Sequence, residues 1–109
     1  MAYEQRHYEA MAEAVGAMDG LSEKKMFGGL CFMLNGNMLC GVHKGGGMFR
    51  VGKDNEAAAL ELPGVAPLSF TGRKMGGMVD VSEDSFADDD LRGRIVSMAL
   101  DYARSLPPK

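Results

Sequence analysis

Apolar residues recur along this chain with two different periods. Tyr8, Met11, Val15 and Met18 fall three and four positions apart, with Arg6, Glu9 and Glu13 off that stripe. This spacing predicts an amphipathic helix over about residues 3–18, stopped at Asp19-Gly20, with Gly16 as its weak point. From Lys24 the pattern changes. An apolar run through Leu30, Cys31, Phe32, Met33 and Leu34 meets Asn35-Gly36 and returns through Met38, Leu39 and Cys40. Asn-Gly between two such runs is the strongest short-range hairpin signal. With Asn35 and Gly36 as the central turn residues, Leu34 faces Asn37, Met33 faces Met38, Phe32 faces Leu39 and Cys31 faces Cys40. Both faces of this pair are apolar, which places it centrally, with at least one face under helices.

The remaining elements follow from punctuation. Gly45-Gly46-Gly47 predicts a turn, and Met48-Phe49-Arg50-Val51 a short third strand. Asp54 is placed to cap a short helix over residues 55–62, which Pro63-Gly64 ends. Strands are expected at 68–71 and 78–81, with Gly76-Gly77 as a bend or bulge between them. Asp88 is a good N-cap for the last helix, whose stripe is Leu91, Ile95, Met98, Tyr102 and Leu106. Asp88 with Arg92, and Asp90 with Arg94, are spaced to pair on its surface. Pro107-Pro108 ends it. The expected order is α-β-β-β-α-β-β-α. Consecutive strands without intervening helices imply antiparallel pairing, hence a two-layer α+β domain with a sheet of about five strands packed with the terminal helices.

The 109 residues are enough for one domain with one core. No apolar run is long enough to span a membrane, and the N-terminus lacks an apolar signal region, so a cytoplasmic protein is expected. The net charge of −3 speaks against a general polyanion binder, but the charge is uneven. Residues 1–23 carry one arginine against five carboxylates. Residues 24–74 carry Lys24, Lys25, Lys44, Arg50, Lys53, Arg73 and Lys74 against three carboxylates. The tail is acidic again. Such segments either pack beside each other or leave a central basic face for an anionic partner. The ten methionines suit adaptable core filling or a promiscuous contact surface.

Candidate chemistry is sparse. Gly47 to Asp54 nearly matches a phosphate-binding loop, but Asp54 stands where a magnesium-binding hydroxyl belongs, and nucleotide hydrolysis is rejected. Gly72-Arg73-Lys74-Met75-Gly76-Gly77 joins cations to glycines, as either a solvated loop or an anion cradle. Cys31 and Cys40, facing each other across the hairpin, read as packing thiols or a redox-sensing dithiol. His7 and His43 read as surface or partly buried residues. With two histidines and no CxxC pair, no metal, cofactor or catalytic set is expected.

Several of these pieces resemble, in order, the N-terminal domain of the TfoX/Sxy family of bacterial competence regulators. They are Met26-Phe27-Gly28-Gly29-Leu30, the apolar strand into Asn35-Gly36 and its return, Met48-Phe49-Arg50-Val51-Gly52-Lys53-Asp54, Pro67-Leu68-Ser69-Phe70, and the closing helix. The likeness spans nearly the whole chain, as a stand-alone N-terminal domain without the helical second domain typical of the competence regulators. It implies an antiparallel α+β domain, no enzymatic activity, and a part in switching on DNA-uptake genes through contacts with other regulators. The expected partner is therefore a protein, another regulator or a second copy as a homodimer. Direct nucleic-acid contact through the seven central cations, or a thiol sensor at Cys31 and Cys40, stand as alternatives.

Overall fold

A computed structural model describes residues 5–16, 20–26, 29–43, 45–70 and 73–107, with backbone alone at 26, 68–70 and 73–76. The elements are α1 (Gln5–Val15), β1 (Leu21–Met26), β2 (Gly29–Leu34), β3 (Asn37–His43), β4 (Gly46–Arg50), α2 (Lys53–Leu60), β5 (Val65–Phe70), β6 (Arg73–Ser82), α3 (Glu83–Phe86) and α4 (Asp89–Ser105). The six strands form one antiparallel sheet in the order β1-β2-β3-β4-β6-β5. This is the expected two-layer α+β architecture, with one strand and one helical turn more than the pattern predicted. The extra strand is β1. Its sequence, Leu-Ser-Glu-Lys-Lys-Met, shows no apolar alternation because it is an edge strand whose residues 22–25 are exposed. Edge strands commonly carry lysine, which discourages unwanted pairing. The added turn is α3, too short to show a period.

All four helices pack on one face of the sheet. Alternate strand residues supply that core: Phe32, Cys40, Phe49, Val79 and Val81 meet Met11 and Val15 of α1, Phe86 of α3, and Leu91, Ile95 and Ala99 of α4. Phe32 and Phe49 are almost wholly buried. Removing side chains of that size from water stabilises the fold by roughly 2–3 kcal/mol each. In α4 the apolar face sits slightly round from the predicted stripe. Leu91, Ile95, Val96, Ala99 and Ala103 are buried, while Met98 and Tyr102 are half-buried.

The loop expected at 72–77 is instead largely strand, since β6 begins at Arg73 and pairs with β5 from there, and further local expectations change. Helix α1 stops at Val15, where Gly16 takes φ 76 and its amide bonds Ala12 O at 2.9 Å. The glycine read as a weak point is the left-handed terminator; the proposed stop at Asp19 lies outside the described residues. Gly52, not Asp54, caps α2, and Asp54 falls within its first turn. Arg92 pairs with Asp89 at 2.5 Å rather than with Asp88, because Asp88 Oδ1 is engaged by the amides of Asp90 and Leu91 at 3.0 and 3.2 Å.

The hairpin turns at Asn35 (φ 52) and Gly36 (φ 84), the positive dihedrals an Asn-Gly turn supplies. Leu34 faces Asn37 and Met33 faces Met38 as predicted. Beyond them the register slips by one. Phe32 faces Cys40, Cys31 faces Gly41, and Leu30 faces Val42. Leu39 is the extra residue of a β-bulge, and it and Cys40 both lie in the helix-side core. Turn chemistry sets where pairing begins, but it does not show that burying both Leu39 and Cys40 on one side requires an extra residue.

The two caps separate cleanly in an unfolding experiment. Asp88→Ala removes two side-chain bonds and lowers the urea-measured stability by about 1 kcal/mol. Asp54→Ala loses only its favourable place near the helix dipole, about 0.3 kcal/mol. Equal losses contradict this assignment.

Candidate functional site

The clearest concavity is a cleft of about 440 Å³ where β4 runs into α2, opposite the end of α4. Its lining includes Arg50, Gly52, Lys53, Asp54, Asp101 and Tyr102. The corner is held from behind. The amides of Val51 and Gly52 both donate to Gly77 O, at 2.9 and 3.0 Å. Gly77 N in turn donates to Glu56 Oε1 at 2.8 Å, and Asn55 Nδ2 to Val51 O at 3.2 Å. Gly52 takes φ 84, and a Cβ there would run into the Tyr102 ring, so position 52 requires glycine on two counts. The Arg50 guanidinium lies 5.3 Å from the centre of that ring, in reach of a cation–π contact.

This geometry explains why the phosphate-loop likeness carries no phosphate chemistry. Residues 46–50 are strand, paired with β6, and the following amides face Gly77 O instead of forming an anion nest. The cleft also places Arg50 and Lys53 beside Asp54 and Asp101, so its formal charges cancel.

Among the described cations of the central segment, Lys24 and Lys25 lie apart from Arg50 and Lys53. Lys24 and Lys25 are exposed on the β1 edge, three strands from Arg50 on β4, about 14 Å across the sheet at ordinary strand spacing. Arg50 and Lys53 share the cleft. Arg73 and Lys74 begin β6, opposite Phe70 and Ser69, at the end of the sheet near Arg50. Lys44 lies outside the described residues. Tyr102, expected only as a core residue, instead joins Arg50 at the cleft; its place in a helical stripe concealed that role.

The cysteines are not the facing pair expected. Cys31 packs in a cluster on the sheet face away from the helices, and Cys40 packs in the helix-side core. The one-residue bulge is the reason. Both are free and buried. Burial pushes the Cys31 thiol up to about 11, and pushes Cys40 higher still, with the nearby Cys31 adding to the effect. A thiol so raised presents almost no thiolate at neutral pH.

His43, half-buried at the end of β3, bonds Asp80 of β6 through Nε2 at 2.5 Å, while its Nδ1 accepts from Gly45 N at 3.0 Å. Both ring nitrogens are engaged, so the imidazole is not free to deprotonate a thiol. His7 is more buried than expected, at 4% exposure, with its ring edge-on to Phe86 at 5.4 Å. Among the described residues no three His, Cys, Asp or Glu side chains gather as metal ligands.

A family model described as the TfoX N-terminal domain matches residues 13–103. The chain belongs to the TfoX N-terminal domain family. The match begins within α1, runs through all six strands and ends near the close of α4, so the whole sheet and all of the cleft lining except Ser105 lie inside the TfoX domain. No curated protein and no solved structure matches the chain.

Two measurements test this chemistry. In the folded protein at pH 8, neither Cys31 nor Cys40 is expected to react with an aromatic disulfide reagent within minutes, while unfolding should expose both. Rapid reaction of either in the folded state contradicts their burial. The hydrogen bond with Asp80 raises the His43 pKa above its ordinary value, against the opposing effect of burial. The folded state therefore binds that proton more tightly than the unfolded chain. The resulting stability is complete below about pH 6.5 and is lost as pH rises through the raised value. Denaturation midpoints should fall more between about pH 6 and pH 8.5 in the native chain than in His43→Gln; parallel curves refute the coupling.

Proposed function

We propose that this chain is a non-enzymatic regulatory module of the competence-regulator kind, acting in the bacterial cytoplasm through contacts with a protein partner. The observation that carries this reading is the TfoX N-terminal domain match across residues 13–103. The site chemistry fits it. The thiols are held protonated, both nitrogens of His43 are engaged, and the cleft is lined by two cations and two carboxylates.

The surface that suits a partner is the β1 edge. An edge strand presents backbone N–H and C=O groups to whatever lies beside it, and an extended segment can add to the sheet there. Lys24 and Lys25 are exposed on β1, which favours an acidic segment. Direct nucleic-acid binding has less behind it. Arg50 and Lys53 together would neutralise two phosphates, giving a log–log salt slope of about −2, against about −6 had all seven cations converged.

A photo-crosslinking residue placed at position 22, exposed on β1, in native cells should yield a discrete protein adduct. The Lys24→Glu, Lys25→Glu double variant should lose it while melting within a few degrees of the parent. The same adduct obtained from position 97, exposed on α4, or no adduct at all, contradicts this surface.

A further inference from the structure

The sheet face turned away from the helices has an unusual composition. Its buried cluster consists of Cys31, Met38, Met48 and Met78, with Met33 packed half-buried against it. Every one of these side chains carries sulfur. Among the described residues, the helix-side core has nineteen buried members and includes only Met11 and Cys40 of that kind. Filling space does not demand this segregation, because leucine or isoleucine buries as much apolar surface and suits a sheet at least as well.

The register brings these groups together from four neighbouring strands. Met33 of β2 faces Met38 of β3; Cys31 of β2 faces Gly41 of β3, which faces Met48 of β4. Gly41 is the pivot. A Cβ there would lie 2.8 Å from Met48 Cε and 3.1 Å from Cys31 Sγ. The absent side chain lets the thiol and the end of the thioether close over the backbone from either side. Cys31 and Met48 are fully buried, whereas Met38 and Met78 keep 9% and 6% exposure and form the outer lip.

We propose that Cys31, with the thioethers of Met48, Met38 and Met78, forms a binding site for a soft monovalent metal ion of the copper(I) class. Thiolate and thioether sulfur select such ions over the harder divalent metals. On binding, the Cys31 S–H bond breaks, its proton leaves to solvent, and a sulfur–metal bond takes its place; no electron is transferred. The thiolate and the monovalent cation cancel, so the site gains no net charge in a setting that penalises one. Without the ion, burial keeps the thiol protonated and the cluster is an ordinary apolar contact. His43 stays outside the ligand set because Asp80 and Gly45 hold both its nitrogens.

Anaerobic titration of the full chain with copper(I), in competition with a chromophoric copper(I) chelator, tests the site. One ion per chain is expected. Cys31→Ser should abolish uptake. Met48→Leu and Met78→Leu, which conserve volume, should each weaken it tenfold or more. Met11→Leu, in the helix-side core, should bind as the parent does. Should Cys31→Ser fail to fold, the two leucine variants decide. A parent chain that takes no copper(I), or one whose uptake is the same in Met48→Leu and Met78→Leu, overturns the proposal. The result is independent of the partner reading, since it concerns the sheet face away from the helices and not the β1 edge.

Discussion

The rest of the molecule depends on how β2 and β3 pair. Asn35-Gly36 starts the pairing, and the bulge at Leu39 resets it. Without that extra residue Cys31 and Cys40 would face each other, and every β3 position beyond Leu39 would change its side of the sheet. With it, Leu39, Cys40 and Val42 all reach the helix-side core, and Gly41 lies between Cys31 and Met48. A change of one residue in register therefore decides what each face of the sheet is made of.

The two faces then differ in kind. One is a conventional core, in which aromatic and branched side chains pack against α1 and α4. The other is a patch of sulfur side chains flanked by the His43–Asp80 pair. The corner cleft belongs to neither. It is fixed where Gly77 O receives two successive amides, so Arg50 and Lys53 are presented by a hydrogen-bonded junction between β4 and α2.

Much of this architecture was legible in the residues. The α1 stripe, the Asn35-Gly36 hairpin and the Asp88 cap follow from periodicity and turn chemistry that act locally. What stayed hidden depended on distant partners. Strand β1 is polar because it lies at an edge, which only the assembled sheet reveals. The slip at Leu39 reflects the volume of a core built from elements far along the chain. Lys24 and Lys25 lie apart from Arg50 because they sit on different strands, and counting charges says nothing of strand order. Tyr102 reads as part of a helical stripe, and its contact with Arg50 exists only once α4 lies beside β4. Family membership was the most legible feature, since ordered short motifs survive where no single one is specific.

A regulatory domain needs a stable frame and a surface that can be addressed. Here the frame is the bulged hairpin beneath four helices, and the exposed β1 edge is the surface we propose for a partner. The most direct test of that frame is the cross-strand proton contacts of the hairpin, measured by nuclear Overhauser spectroscopy. The account predicts backbone contacts between Phe32 and Cys40 and between Leu30 and Val42. Contacts of Phe32 with Leu39 and of Cys31 with Cys40 instead would mean an unbulged hairpin, and would contradict the separation of the two sheet faces.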